Sequence, residues 1–240
     1  MKKIALVTGG TSGIGLATVE ALHRKGYVVI FTSSKSRVAG EQVASQDRES
    51  LRYLQCDVTN KEEINLVKEI LVEHYGRLDL LVNNAGYTEV VPHSNFEGAN
   101  DDLWMKIFTT NVMGTWWMST LFYDLLKAEQ GSIVNITSIA GLRPMGSSIP
   151  YSVSKAALNQ MTRLLAASMD NVRVNAVAPG LIDTPWTESW DQLRENVRRV
   201  APLHRSGTPE DIAQVVVSVA ESAYLTGEVI AVDGGLTLKV

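Results

Sequence analysis

Tyr151 and Lys155 stand four residues apart in Tyr151-Ser152-Val153-Ser154-Lys155, and Ser138 closes an apolar run upstream of them. On a helix, positions i and i+4 share a face, so this phenol and this ammonium would point into the same small volume. A phenol with a reference pKa of about 10 is a poor proton donor or acceptor near neutrality, but a fixed cation nearby favours the phenolate and lowers that value. The pattern predicts a cation-tuned acid/base group, with Ser138 orienting a substrate oxygen. A surface tyrosine beside a solvated lysine has the same spacing. The flanking elements must therefore decide what the pair does.

The first of these elements is at the start of the chain. An apolar run over 4–8 leads into Thr8-Gly9-Gly10-Thr11-Ser12-Gly13-Ile14-Gly15, and helical apolar spacing follows over 16–25. This reads as strand, glycine turn, helix. Glycines at such a junction let a pyrophosphate approach the helix N-terminus, where free N–H groups and the dipole favour negative charge. The spacing Gly9, Gly13, Gly15 departs from the G-x-G-x-x-G fingerprint, and a ligand-free tight turn would use the same residues.

Further along, Val-, Ile- and Leu-rich runs alternate with longer amphipathic segments, the pattern of a parallel sheet covered by helices on both faces. Strands are predicted over 4–8, 28–32, 52–55, 78–82, 132–137, 173–178 and 228–232, with helices between them. The expectation is an α/β chain with a doubly wound, seven-stranded parallel sheet, a Rossmann fold forming one domain over 1–240. Such a sheet binds ligands beyond the carboxyl ends of its strands. Thr8, Thr32, Cys56, Asn83, Ser138 and Ala178 fall at or beside those ends. At 240 residues, 45% hydrophobic and 20% charged, the chain can bury a core on both faces.

A net charge of -4 does not suggest a nucleic-acid binder. The apolar stretch 4–7 is too short for a signal peptide and no run approaches a membrane span, so a cytoplasmic protein with no membrane partner is expected. Cys56 is the single cysteine and reads as a small core residue. His23, His74, His93 and His204 lack ligand spacing, and no metal site is expected.

Taken together, the glycine turn, Asp57-Val58, Asn83-Asn84-Ala85-Gly86, Asn111, Ser138, Tyr151/Lys155 and Pro179-Gly180 with Thr184 resemble the short-chain dehydrogenase/reductase family in order and spacing. The resemblance covers nearly the whole chain, and within the family it is nearest to 3-oxoacyl-carrier-protein reductases and glucose-dehydrogenase-like members. It implies an NAD(P)-dependent oxidoreductase interconverting a ketone and a secondary alcohol. In that role Tyr151 is the general acid/base, and Lys155 tunes it and holds the nicotinamide ribose. Ser138 binds the substrate oxygen, and Asn111, within a helical stretch over 103–126, holds a water that links Lys155 to solvent. Ser138 as a turn residue and Asn111 as a polar helix residue are the structural alternatives.

For the cofactor, the resemblance places the pyrophosphate at Gly9, Thr11, Ser12, Gly13, Ile14 and Gly15. It puts Asp57 and Val58 beside the adenine, and Asn83, Ala85 and Gly86 along the adenosine ribose. Pro179, Gly180, Ile182 and Thr184 would meet the nicotinamide. Asp57 could equally serve at a helix N-terminus, with Thr59 or Asn60 competing. Asn83-Asn84-Ala85-Gly86 could instead brace the sheet. An acid at the end of the second strand would bind a ribose diol and repel a 2′-phosphate. None occurs between Glu20 and Glu41; Ser33, Ser34, Lys35 and Arg37 stand there instead. NADP(H) is expected over NAD(H), although Ser12 occupies a turn position where many NADP-using relatives carry a basic residue, and Lys35 and Arg37 could be plain surface charges.

The residues 86–93, 141–149 and 185–203 are expected to line the substrate pocket, the last as part of a mobile cover over about 185–206 that includes Trp186 and Trp190. Arg143 is a candidate anchor or a structural ion-pair partner, and Arg194, Arg198 and Arg199 are expected to face solvent. Trp116, Trp117, Phe122, Leu158, Met161 and Leu165 would supply the paired interfaces of a homotetramer, or would simply pack within the subunit. An NAD-dependent polyol dehydrogenase and a non-catalytic cofactor sensor are the alternative functions.

Overall fold

In the computed structural model, which describes residues 2–239, the strands are β1 (Ile4–Val7), β2 (Val28–Ser33), β3 (Leu51–Gln55), β4 (Leu80–Asn83), β5 (Ser132–Ile136), β6 (Arg173–Pro179) and β7 (Val229–Val232). The α-helices are α1 (Gly13–Arg24), α2 (Arg37–Ala44), α3 (Lys61–His74), α4 (Asp101–Phe108), α5 (Gly114–Leu121), α6 (Tyr123–Ala128), α7 (Ile149–Ser168), α8 (Asp191–Val200) and α9 (Pro209–Glu221). The strands form one sheet in the order β3-β2-β1-β4-β5-β6-β7, all parallel. This is the expected doubly wound sheet. Its order reverses between β1 and β4, which parts the loops above them and leaves a crevice at the carboxyl ends.

Alternation along each strand divides the core in two. From β1, Ala5 and Val7 pack with Val19 and Leu22 of α1 and Ile212 and Val216 of α9. Ile4 and Leu6 point the other way, toward Ile64 and Leu71 of α3, Met118 of α5 and Leu165 of α7. Period 2 makes this unavoidable: neighbouring residues of a strand must find partners on opposite faces. β4 begins at Leu80, two residues later than expected. Just before it, the Asp79 carboxylate accepts the Ile4 N–H at 2.8 Å.

The helical stretch expected over 103–126 is interrupted. Between α4 and α5 lies a π-helical turn, Thr109–Met113, with Asn111 at its centre, and a second break at Phe122 separates α5 from α6. π-turns inside α-helices often mark functional positions.

Phe122, Leu158 and Leu165, expected at an interface between subunits, are buried within this one at 0%, 2% and 6% exposure. Core packing claims them first, because they face the sheet. Trp117 and Met161 are also partly packed against the core. Trp116 remains outward at 41%, and Met105, Met113, Val153 and Leu164 are exposed on α4, the π-turn and α7. Among the described residues no helix is long and apolar enough to cross a membrane.

Candidate active site

The crevice above β1 and β4 opens into a cleft of about 1370 Å³. At one end the glycine turn passes under it. A side chain at Gly15 would begin 2.1 Å from the Gly9 carbonyl oxygen, so only hydrogen fits where α1 meets the loop. No side chain caps the N-terminus of α1, which leaves its first N–H groups to the cleft. Asn84 fastens this loop to the one after β4: its Nδ2 donates to the carbonyls of Thr8 and Gly9 at 3.0 Å each. The Thr8 hydroxyl in turn accepts the N–H groups of Asn84 and Ala85. The sequence marks Thr8 as a strand end and Asn84 as part of Asn83-Asn84-Ala85-Gly86, but not the bonds between the two loops.

Ser148 starts α7 by accepting the Tyr151 N–H, with Pro150 in the first turn. That start puts Tyr151 and Lys155 on the face that looks into the cleft, and both line it together with Ser138. Lys155 is 4% exposed and donates to the Ile136 carbonyl at 3.0 Å. Ser138 caps a 3-10 turn, Ile139–Gly141, by accepting the Ala140 N–H. That turn presses on α7. A Cβ at Gly141 would lie 2.6 Å from the Lys155 carbonyl carbon, and Asn159 donates to the Gly141 carbonyl at 3.0 Å. The glycine is what brings the Ser138 hydroxyl up to the phenol.

Asn111 lies behind the cleft wall, fully buried. Its Oδ1 accepts the Tyr87 N–H at 2.7 Å, while its Nδ2 donates to the Tyr87 carbonyl and to Ser154 Oγ. Both amide hydrogens are used, so the side chain clamps the loop after β4 to α7. Asn111 and Lys155 nevertheless converge: a Cβ at Gly86 would lie 3.4 Å from Asn111 Oδ1 and 3.8 Å from Lys155 Nζ.

Gly9, Thr11, Ser12, Gly13, Ile14, Gly15, Ser33, Ser34, Asp57, Val58, Ala85, Gly86, Pro179, Gly180, Ile182 and Thr184 all line the cleft. Lys35 and Asn83 do not. Asn83 is 4% exposed and donates to Ser119 and Asn135 inside the sheet, the bracing alternative. Lys35 is an exposed residue beyond the cleft wall, and Arg37 is paired with Glu41 at 2.7 Å on the surface. Ser33 Oγ is hydrogen-bonded to the Tyr53 hydroxyl at 3.0 Å, a partner from β3 that no local pattern announces. Asp57 Oδ1 accepts from Thr59, and Asn60 caps α3.

Burial governs the electrostatics of the pair. It pushes the Tyr151 phenol up to about 12, the Ser138 hydroxyl pulling weakly the other way. It brings the Lys155 ammonium down to about 8. The expected lowering of the tyrosine by its lysine is therefore not what the structure shows. Lys155 Nζ stands 5.6 Å from the centre of the phenol ring and turns to a carbonyl instead. Removal from water outweighs a cation at that range.

Residues 9–237 match a family model described as enoyl-(acyl carrier protein) reductase. The chain belongs to the short-chain dehydrogenase/reductase family. It is an oxidoreductase by that membership. It is 45% identical to "Granaticin polyketide synthase putative ketoacyl reductase 2" of Streptomyces violaceoruber over 98% of this chain and 96% of that one. Two solved structures share its fold. A short-chain dehydrogenase/reductase from Brucella melitensis described as glucose/ribitol dehydrogenase has a TM-score of 0.92 at 28% identity, covering 98% of this chain and 99% of its own. ElxO with NADP bound has a TM-score of 0.90 at 30% identity, covering 99% and 100%.

In this short-chain dehydrogenase/reductase the segment after β6 carries helical structure of its own. It forms a 3-10 turn, Pro185–Thr187, and then α8. Arg194, expected to face solvent, is its staple. Its side chain is only 14% exposed and donates to Asp183 at 2.7 Å, the Thr187 carbonyl at 2.7 Å and the Glu188 carbonyl at 3.1 Å. Arg198 is exposed and pairs with Glu195 at 3.6 Å, and Arg199 lines the cleft. Arg143 is exposed and bonds only the neighbouring Leu142 carbonyl, away from the cleft wall.

The depressed Lys155 value carries a stability consequence. The folded protein holds that proton less tightly than the unfolded chain, so stability rises with pH from about 8 toward 10.5. Above 10 the raised Tyr151 value opposes it, because the unfolded chain releases its phenolic proton first. Lys155→Met, which removes a buried cation, should therefore raise the thermal midpoint at pH 7, by at most about 3 kcal/mol of stability. The gain over the parent should shrink as the pH approaches 10; differential scanning fluorimetry across pH 7 to about 10 measures it.

Proposed function

We propose that this protein reduces a ketone to a secondary alcohol, and runs the reverse reaction, with NADP(H) as cofactor and Tyr151 as the general acid/base. The observation that carries the reading is the convergence of Tyr151, Ser138 and Lys155 on the inner wall of a cleft whose other end is an uncapped helix N-terminus. The residues present fit a dinucleotide. The Gly9/Gly15 contact admits a close backbone approach, and the free N–H groups of α1 suit a pyrophosphate. Asp57 and Val58, which line the same cleft, would meet the adenine. Bound there, the cofactor supplies or accepts the hydride at the carbonyl carbon.

The chain's own groups handle the oxygen. Ser138 donates to the carbonyl oxygen and stabilises the charge that develops on it, as a preorganised donor does. Tyr151 delivers its phenolic proton to that oxygen. A phenol raised by burial is fully protonated near neutrality, and so arrives loaded for reduction. Lys155 leaves the Ile136 carbonyl to hold ribose hydroxyls, and from there its charge favours the phenolate that proton transfer creates. Asn111 completes the relay by holding a water beside Lys155.

Support for NADP(H) comes from the acid-free end of β2, where Ser33 and Ser34 line the cleft, and from the NADP-bound structure that shares this fold. The neighbour described as glucose/ribitol dehydrogenase supports the rival, an NAD-dependent polyol dehydrogenase. Titration with NADPH and NADH, followed by tryptophan quenching, separates them. Tighter NADPH binding by about tenfold, or 1.4 kcal/mol, is expected, and a preference for NADH would favour the rival. Tyr151→Phe should abolish turnover with NADPH affinity near normal, whereas Lys155→Ala should damage both. Turnover by Tyr151→Phe at the parent rate would sink the mechanism.

A homotetramer is part of the same reading, supported by the outward apolar residues Met105, Met113, Trp116, Val153 and Leu164. Sedimentation velocity should find the tetramer at micromolar concentration; a monomer there would remove it.

A further inference from the structure

We infer that the substrate is a bulky, flat, mainly apolar ketone and that Trp186 is the residue that selects it, an inference that rests on the ketone/alcohol reading above. Trp186 belongs to the 3-10 turn after β6 and is 47% exposed, yet it reaches inward. Its ring centre is 6.5 Å from that of Tyr151, the planes at 72°, and its Cη2 is 3.8 Å from where a side chain on Gly86 would begin. The indole thus borders the space beside the phenol. An aromatic face so placed offers stacking to a planar ligand ring while leaving the phenolic proton accessible.

Two further large apolar side chains line the same cleft and are exposed: Val90 at 63%, from the loop after β4, and Leu193 at 44%, from α8. Isolated exposed apolar residues need no explanation. Three from separate segments turned to one cleft, with Trp190 and Met145 also lining it, mark a binding surface whose cover is an apolar ligand.

The polar side chains of this region point the same way, because many are already paired with one another. Thr88 and Ser147 share a hydrogen bond at 2.6 Å, His93 is 3.1 Å from the Gly146 carbonyl, and Arg199 donates to Asn196 at 3.0 Å. Thr187 donates to the Ile182 carbonyl at 2.6 Å. Ser189, Gln192 and Glu195 also line the cleft, at exposed positions. A polyol would compete with these pairs for partners near the phenol, whereas a hydrophobic ketone needs polar partners at its carbonyl alone. Ser138 and Tyr151 are there for that oxygen.

The test compares kcat/KM for reduction of 1-tetralone, a fused bicyclic ketone, with that for ethyl 3-oxobutanoate, alongside ribitol oxidation and calorimetric binding of 1-tetralone to the cofactor complex. A preference for 1-tetralone over the keto ester of roughly tenfold or more is expected, the discrimination one or two buried methylenes provide. Trp186→Ala should bring that ratio toward one, chiefly through KM for 1-tetralone. Leu193→Asn should lower it too, without touching the residue next to the phenol. Equal or better use of the keto ester by the parent, or an unchanged ratio in both variants, would overturn the inference. Ribitol oxidation without 1-tetralone binding would overturn it and leave the oxidoreductase standing. Calorimetric binding of 1-tetralone with no turnover of any substrate supports the apolar site and removes the ketone/alcohol chemistry instead.

Discussion

The side-chain amide of Asn84, donating to the carbonyls of both Thr8 and Gly9, is the tie on which the cleft depends. Parallel neighbours β1 and β4 send their chains to opposite sides of the sheet, so nothing in the strand ladder holds their carboxyl-end loops in register. Carbonyls there would otherwise be left unpaired at the edge of a buried sheet, a cost of about 1–3 kcal/mol each. One amide satisfies two of them while the Thr8 hydroxyl satisfies two N–H groups of the facing loop. The glycine turn and the Ala85-Gly86 strip are thereby fixed as the two banks of one crevice. Everything proposed to bind between them inherits that spacing.

Deeper in, two effects compete at Tyr151 and Lys155. A neighbouring cation lowers a phenol, but removal from water raises it and lowers an amine. The second effect prevails on both groups, leaving a neutral phenol beside an ammonium that turns to the Ile136 carbonyl.

The outer wall of the cleft follows a different logic. Arg194 satisfies carbonyls of the turn that carries Trp186 and pairs with Asp183, so a short segment keeps its shape without burying its own aromatic residue. Beneath it Ile139, Val197, Ala201 and Leu236 form a small separate core, with Met145 packed against it. The helix Asp191–Val200 is held from below and stapled at its start. Its exposed Leu193 and the indole of Trp186 are thus held toward the cleft with surface that a ligand can cover.

Much of this was legible in the residues themselves. Continuous apolar runs alternating with amphipathic segments specify a parallel sheet because each strand must be covered on both faces, and all seven strands fall within two residues of where the pattern puts them. Tyr151, Lys155 and the glycine turn were legible for a related reason: their geometry is local, set by one helix turn or one tight loop. What escaped was long-range. The Asn84 tie spans 75 residues, the Ser33 to Tyr53 bond joins two strands, and Arg194 reads in sequence as one surface cation among three. Whether Phe122 faced a partner or the core, and whether Lys155 or burial ruled the phenol, depended on which surfaces the fold brought together. Spacing along a chain determines which side chains share a face; only packing in three dimensions decides what that face meets and how much water it keeps.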